Sequence, residues 1–144
     1  IMALGYGCGL RIGELIRLKA QDVSFEKQLV FIRKSKNNQS RNIPTTYVIL
    51  KQLETHIIQE KLTLDTYFFQ GKKEQSLRRI FRALQNRLGI RPYYQIHQLR
   101  HSIASHLVDN GVAITLVQQF LGHRHLKTTQ NYVSPIKTIK NDSN

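Results

Sequence analysis

The 144-residue sequence predicts one mainly α-helical domain that carries a small antiparallel β-hairpin. Three observations lead there. Apolar residues recur at spacings of three and four along most of the chain, the period of one helix face. A single pair of short runs, 29–33 and 41–44, flanks a polar turn in the manner of two hairpin strands. Glycines fall just past the helical stretches, and Pro and Gly are otherwise too few to mark an internal boundary; no repeat or low-complexity linker interrupts the chain.

Each element follows in order. Ile1 to Gly9 is apolar and glycine-rich and reads as the back half of a helix, so the sequence is expected to be a fragment of a longer protein. Arg11 to Leu18 reads as a short helix with Ile12, Leu15, Ile16 and Leu18 facing inward. Leu29 to Arg33 is the first strand, Lys34 to Ser40 the polar turn with a basic tip, and Arg41 to Pro44 the returning strand, ended by its proline. Thr45 or Thr46 caps a helix over about 46–60, with Ile49, Leu50, Leu53, Ile57 and Ile58 as its apolar face. Thr66 to Phe69 reads as a short strand. Ser76 caps a helix bearing Leu77, Ile80, Phe81, Leu84 and Leu88, closed by Gly89 in the left-handed conformation. The next helix runs from about His97 to Asp109, with Leu99, Ile103 and Leu107 as its inner stripe, and stops at Gly111. Val112 to Leu121 is another helix, ended by Gly122. A last helix, roughly 126–133, carries Tyr132 and stops before Pro135.

Composition narrows the function. Lys and Arg number 22 against 9 Asp and Glu, a formal net charge of +13, which favours a polyanionic partner through counterion release and long-range attraction. Charge alone fits DNA, RNA or an anionic membrane, and either an enzyme or a basic binding protein. Forty per cent apolar residues suits a packed domain and not a disordered basic tail. Cys8 is the only cysteine, so no disulfide forms within the chain, and the six histidines are scattered without zinc-site spacing. No apolar run approaches the roughly 18 residues of a membrane span, and no signal peptide is visible.

Several residues have the chemistry to handle a phosphodiester. His97 and Arg100 are three apart on a helix and share a face; an arginine fork matches two phosphate oxygens. Taken alone, such a pair is more often an ordinary solvated His and Arg. His123 follows Gly122, where the chain turns sharply enough to aim a side chain into a cleft, although a lone Gly-His is more often a surface loop. Tyr132 lies nine residues later and is either a nucleophile or a half-buried packing residue. Arg11 opens a helix after a Gly-rich turn; buried there it needs an anion, and Glu14 is the obvious ion-pair partner. Lys36 stands at the hairpin tip, where a solvated lysine is the ordinary reading.

Read together and in this order, the segments resemble the catalytic domain of the tyrosine recombinases, the phage integrase family. Gly9-Leu10-Arg11-Ile12-Gly13-Glu14-Leu15 resembles the family's first arginine box. Lys34-Ser35-Lys36-Asn37 through Arg41-Asn42-Ile43-Pro44 resembles its lysine hairpin, and His97-Gln98-Leu99-Arg100-His101-Ser102 its His-x-x-Arg box. Leu121-Gly122-His123 and Thr128-Thr129-Gln130-Asn131-Tyr132 resemble its closing motifs. The resemblance covers about residues 1–135, leaving 136–144 as a polar tail.

The resemblance implies the family's fold for DNA breaking and rejoining, and a site-specific recombinase that works through a covalent 3′-phosphotyrosine. It makes Tyr132 the nucleophile. Arg11 and Arg100 bind the non-bridging oxygens of the scissile phosphate. Lys36 is the general acid for the leaving 5′ oxygen; Lys34 faces the same side two residues away, and counting back from Pro44 favours Lys36. His97 assists proton transfer and His123 completes the phosphate pocket. Neither metal nor other cofactor is implied. The partner is double-stranded DNA, with self-association of the full-length parent as a tetramer on it, in the bacterial cytoplasm at the nucleoid and in keeping with a mobile element. The N-terminal DNA-binding domain that family members place upstream is not in the sequence. A type IB topoisomerase-like relaxation enzyme and a non-catalytic DNA-binding module on the same scaffold are the competing readings; the compact His-to-Tyr spacing favours the recombinase.

The chemistry is coherent on its own terms. A phenol, with a pKa near ~10, is a poor nucleophile at neutral pH without help. Fixed guanidinium donors stabilise charge building on the phosphoryl oxygens. An alkoxide leaves more slowly than a phenolate, hence the need for an acid.

Overall fold

The computed structural model describes residues 1–34 and 39–122. Lys36, His123, Tyr132 and the helix expected at 126–133 lie outside the described residues. The expected class is found: helices α1 (Ile12–Arg17), α2 (Tyr47–Gln59), α3 (Glu74–Arg87), α4 (Ile96–Asp109) and α5 (Ile114–Leu121) surround one small antiparallel sheet.

That sheet has three strands in the order β1 (Val23–Ser24), β2 (Leu29–Ile32) and β3 (Arg41–Pro44). The pairing of β2 with β3 sets Val30 opposite Ile43 and Ile32 opposite Arg41. Val30, Ile32 and Ile43 are buried while Phe31 and Asn42 face out, the period-two alternation of a sheet with one covered face. The two-residue β1 is an edge strand beyond the expected hairpin.

The main core gathers Leu4, Leu10, Leu15, Val30, Ile43 and Leu77 among its most enclosed side chains. A second cluster joins α4 to α5 through Ala104, Val108, Val117 and Leu121, and Phe120 packs against both. Each such side chain contributes about 1.5–3 kcal/mol by leaving water, which places the junction of sheet, α4 and α5 among the best-anchored parts of the molecule.

Several local expectations need correction. The apolar start forms a π-helical turn at Ala3–Gly7. Of the two threonines expected to cap α2, Thr46 does so, its hydroxyl accepting from the Ile49 N–H at 3.3 Å. Ile58 lies outside the buried face of α2, at 68% exposure. Residues 66–69 form turns and no strand: Tyr67 makes one isolated bridge to Lys19, and the Phe68 N–H donates to the Leu18 carbonyl at 2.7 Å, tucking both phenylalanines inward. Ser76 does not cap α3, which begins at Glu74 after Lys73. Leu77 and Phe81 are buried as expected, but Ile80 and Leu88 are exposed. Gly89, Gly111 and Gly122 follow α3, α4 and α5 with φ of 67°, 84° and 74°, as the glycine punctuation indicated.

Candidate active site

Arg11 is the N-cap of α1, and Glu14 stands three residues on. The Glu14 carboxylate reaches back and accepts the Arg11 backbone N–H at 3.0 Å, one half of a capping box. This satisfies an orphan donor and puts negative charge at the positive end of the helix. Arg11 is half-buried. Its guanidinium forms no ion pair with Glu14, so the expected Arg11–Glu14 side-chain partnership is not made.

The partner of Glu14 is Arg41. From the first position of β3, Arg41 grips the carboxylate with both terminal nitrogens, Nη1 to Oε2 at 2.6 Å and Nη2 to Oε1 at 3.2 Å. Its Nε–H donates to the Phe120 carbonyl at 2.8 Å, near the end of α5. Both charged side chains are nearly enclosed, at 7% and 2% exposure. A pair this buried requires such bidentate geometry, because desolvation otherwise outweighs the attraction. Sequence reasoning missed Arg41, although a signal existed: with a period of two it shares a face with the inward Ile43. An arginine on an inward face needs a carboxylate.

Arg100 is the second correction. Apolar spacing assigns the buried face of α4 to Leu99 and Ile103, leaving His97 and Arg100 to point elsewhere together. The most buried stripe is instead Ile96, Arg100, Ala104 and Val108, with Leu99 and Ile103 half-buried beside it. The Arg100 guanidinium donates from Nη1 to the Gly9 carbonyl and from Nη2 to the Leu121 carbonyl, both at 2.7 Å. Its Nη1 lies 3.9 Å from Glu14 Oε1. Arg100 thus ties the turn before Arg11 to the last residue of α5, one residue from Gly122. The first arginine box and the His-x-x-Arg box meet around one carboxylate.

His97, one turn earlier on α4, is exposed. It borders a cleft of about 400 Å³ whose walls include Ile12, Arg78, Phe81, Arg82 and Tyr93. Tyr93 lies between two guanidinium groups, Arg82 at 4.3 Å and Arg91 at 4.1 Å from the ring centre, and its hydroxyl meets Asn86 Oδ1. The stretch leading into α4 is held by the buried Gln85, whose amide exchanges hydrogen bonds with the Tyr94 backbone at 2.7 and 2.9 Å. His101 stacks edge-on against His97 at 5.5 Å between centroids. Burial pushes the His101 imidazole below its ordinary pKa, with His97 and Arg100 acting in the same direction. Lys34 is exposed at the end of the described part of the hairpin.

Comparison with known proteins agrees with this architecture. The chain is 35% identical over 137 residues to tyrosine recombinase XerA of Pyrococcus horikoshii, covering 92% of this chain and 48% of that protein. It is 34% identical over 146 residues to a tyrosine recombinase of Pseudothermotoga lettingae, covering 99% and 51%. It therefore spans about half the length of the curated relatives it matches. Among solved structures, the crystal structure of XerA recombinase superposes with a TM-score of 0.81 at 26% identity, over 98% of this chain and 55% of that one. The XerH recombinase bound to its difH substrate, at 22% identity and a TM-score of 0.75, shares the fold over 99% of this chain and 44% of that one. The family model for phage integrases matches residues 1–138, and the chain belongs to the phage integrase family.

Proposed function

We propose that this chain is the catalytic part of a site-specific DNA recombinase, which cuts and rejoins strands through a covalent 3′-phosphotyrosine without metal or nucleotide hydrolysis. The observation that carries the reading is that Glu14 joins the two arginine boxes: its carboxylate accepts the backbone N–H of Arg11, at the start of α1, at 3.0 Å and lies 3.9 Å from the Arg100 guanidinium of α4. Two guanidinium groups held on separate rigid elements can take the two non-bridging oxygens of one phosphate and meet the charge that builds there during attack. Its relatives among the tyrosine recombinases support the same reading.

Tyr132 is the nucleophile. Its phenolate attacks the phosphorus, and the 5′ oxygen departs with a proton from Lys36. The tyrosyl phosphodiester retains the energy of the broken bond, so a 5′-hydroxyl from a second strand reverses the step and exchanges partners. His97 assists the proton transfer from its place on the cleft wall, and His123 completes the phosphate pocket. The partner is duplex DNA, held by a tetramer of the full-length protein, and a basic chain of this kind works at the bacterial nucleoid.

The test is covalent capture. The full-length protein is incubated with a pool of nicked duplexes of randomised sequence, and adducts are resolved on a denaturing gel. Tyr132→Phe should abolish the adduct and leave DNA affinity nearly intact, because it removes one oxygen and no charge. With the captured duplexes resynthesised to carry sulfur at the bridging 5′ position, Lys36→Ala should recover and Lys34→Ala should show no such rescue, since a thiolate leaves without a proton. An adduct that persists in Tyr132→Phe would remove the nucleophile assignment.

A further inference from the structure

Resting on the phosphate-binding reading of Arg100, we propose that Arg41 is a positioning residue for strand cleavage. It neutralises Glu14, and so keeps the Arg100 guanidinium directed at the scissile phosphate instead of drawn onto that carboxylate.

The geometry carries this. Glu14 is 2% exposed, so water does little to screen its charge. Its two carboxylate oxygens take Arg41 at 2.6 and 3.2 Å, and Oε1 also takes the Arg11 N–H at 3.0 Å. Arg100 stays back at 3.9 Å and donates to the Gly9 and Leu121 carbonyls. Arg41 is itself fixed at a third point, the Phe120 carbonyl. It is also backed by Gly122, where a Cβ would stand 2.8 Å from Nη1. Strand β3 and the end of α5 therefore hold one cation against both carboxylate oxygens of Glu14, closer than Arg100 comes.

Remove Arg41, and the buried carboxylate has Arg100 as its nearest cationic side chain among the described residues. Closing from 3.9 Å to a charge-assisted hydrogen bond needs a shift of about 1 Å. A displacement of that size at a catalytic contact costs about a hundredfold in rate. The cluster would also lose one positive charge just where a dianionic transition state must form.

The experiment uses the full-length protein and duplexes recovered by covalent capture with the unaltered protein. Arg41→Gln should lower the single-turnover rate of adduct formation by about a hundredfold while changing duplex affinity little. Arg41→Gln combined with Glu14→Gln should regain most of that loss, because the carboxylate that would attract Arg100 is gone while an amide oxygen still caps Arg11. The same duplexes with a methylphosphonate at the scissile position carry no charge there. On them the deficit of Arg41→Gln should shrink, as that of Arg100→Ala should, whereas misfolding would depress both substrates alike. If Arg41→Gln fails to fold, the double variant carries the test. A folded double variant that cleaves supports the proposal; one that is folded and inactive on both substrates overturns it. So does an equal Arg41→Gln deficit on both substrates. Normal cleavage by Arg100→Ala would instead overturn the phosphate-binding reading itself, and so separates the two failures.

Discussion

The guanidinium of Arg41 and the carboxylate of Glu14 face each other edge to edge across two hydrogen bonds, 2.6 and 3.2 Å, in a nearly dry setting between β3 and α1. Breaking one side of such a pair leaves a buried charge with an incomplete partner set. Glu14→Leu should therefore lower the unfolding free energy by about 3–5 kcal/mol. Arg41→Met with Glu14→Leu should cost much less than the sum of the single changes, because no charge is stranded. Urea denaturation of the four proteins in a double-mutant cycle measures this. Additive losses would mean that the two side chains contribute independently.

Gly122 should be more sensitive than Gly89, although both carry positive φ, 74° and 67°. An alanine at either position meets the left-handed penalty, about 1–2 kcal/mol. At Gly89 nothing lies within 4 Å of the added carbon, so the penalty ends there. At Gly122 that carbon would sit 2.8 Å from Arg41 Nη1 and 3.1 Å from its Cζ, forcing the buried guanidinium off Glu14. Gly122→Ala should lower the urea midpoint clearly further than Gly89→Ala. Equal midpoints would show that Arg41 yields without consequence.

The same contacts explain what could be read from the sequence. Helix ends at Gly89, Gly111 and Gly122 were legible because only glycine enters that backbone region easily. The β2–β3 hairpin was legible because Val30, Ile32 and Ile43 alternate with outward residues. The inner face of α4 was not. Its sequence offers two adjacent four-residue stripes, one through Leu99 and Ile103, the other through Arg100 and Ala104. What turns the second inward is a pair of carbonyls, Gly9 and Leu121, supplied by distant segments. Phe68 and Phe69 looked like a strand by composition, yet the Thr63–Thr66 turn and a single bridge to Lys19 decide their shape. Strand β1 is too short to show any period. The first arginine box and the His-x-x-Arg box, which meet at Glu14, stand out in the sequence, whereas the Arg41–Glu14 pair beside them joins elements that sequence spacing does not connect.

Arg100 and His97 should separate in a stability measurement, despite standing three residues apart. Truncating Arg100 to Ala removes the donors to two backbone carbonyls, each worth about 1–3 kcal/mol when left unsatisfied. His97 is exposed on the cleft wall, and His97→Ala should stay within about 0.5 kcal/mol of the unaltered protein. Thermal unfolding of the two variants decides. A destabilised His97→Ala beside an undisturbed Arg100→Ala would invert the assignment of faces on α4.

His101 makes stability depend on pH in a definite direction. Its folded pKa is lowered, by burial first and then by His97 and Arg100, so the unfolded chain takes up the proton at a higher pH than the folded one. The resulting stabilisation is present above the unfolded-state pKa of about 6.5 and is lost progressively as pH falls from there through the lower folded-state pKa. His101→Gln cannot titrate. The melting temperature of the variant should fall less than that of the unaltered protein between about pH 7 and pH 5. Parallel curves would remove His101 as a source of the acid sensitivity.

Arg78 and Arg82 line the same cleft as His97 and Ile12, one helical turn apart on α3. Their neighbours give each a local role. Arg78 pairs with Glu74 at 3.2 Å in an exposed i,i+4 contact, which contributes little on its own, and Arg82 stacks on Tyr93. If the cleft receives a DNA backbone, each arginine neutralises one phosphate and releases condensed counterions. The slope of log affinity against log salt should then shrink by about 0.9 for each arginine replaced by glutamine, because one phosphate fewer is neutralised each time. Affinity should fall by a similar factor on every duplex sequence, since such contacts position without reading bases. Titrations of random-sequence duplex at several salt concentrations supply both quantities. An unchanged slope in Arg78→Gln and Arg82→Gln, with affinity intact, would assign the two side chains to packing around Tyr93 and place the DNA on another face of the domain.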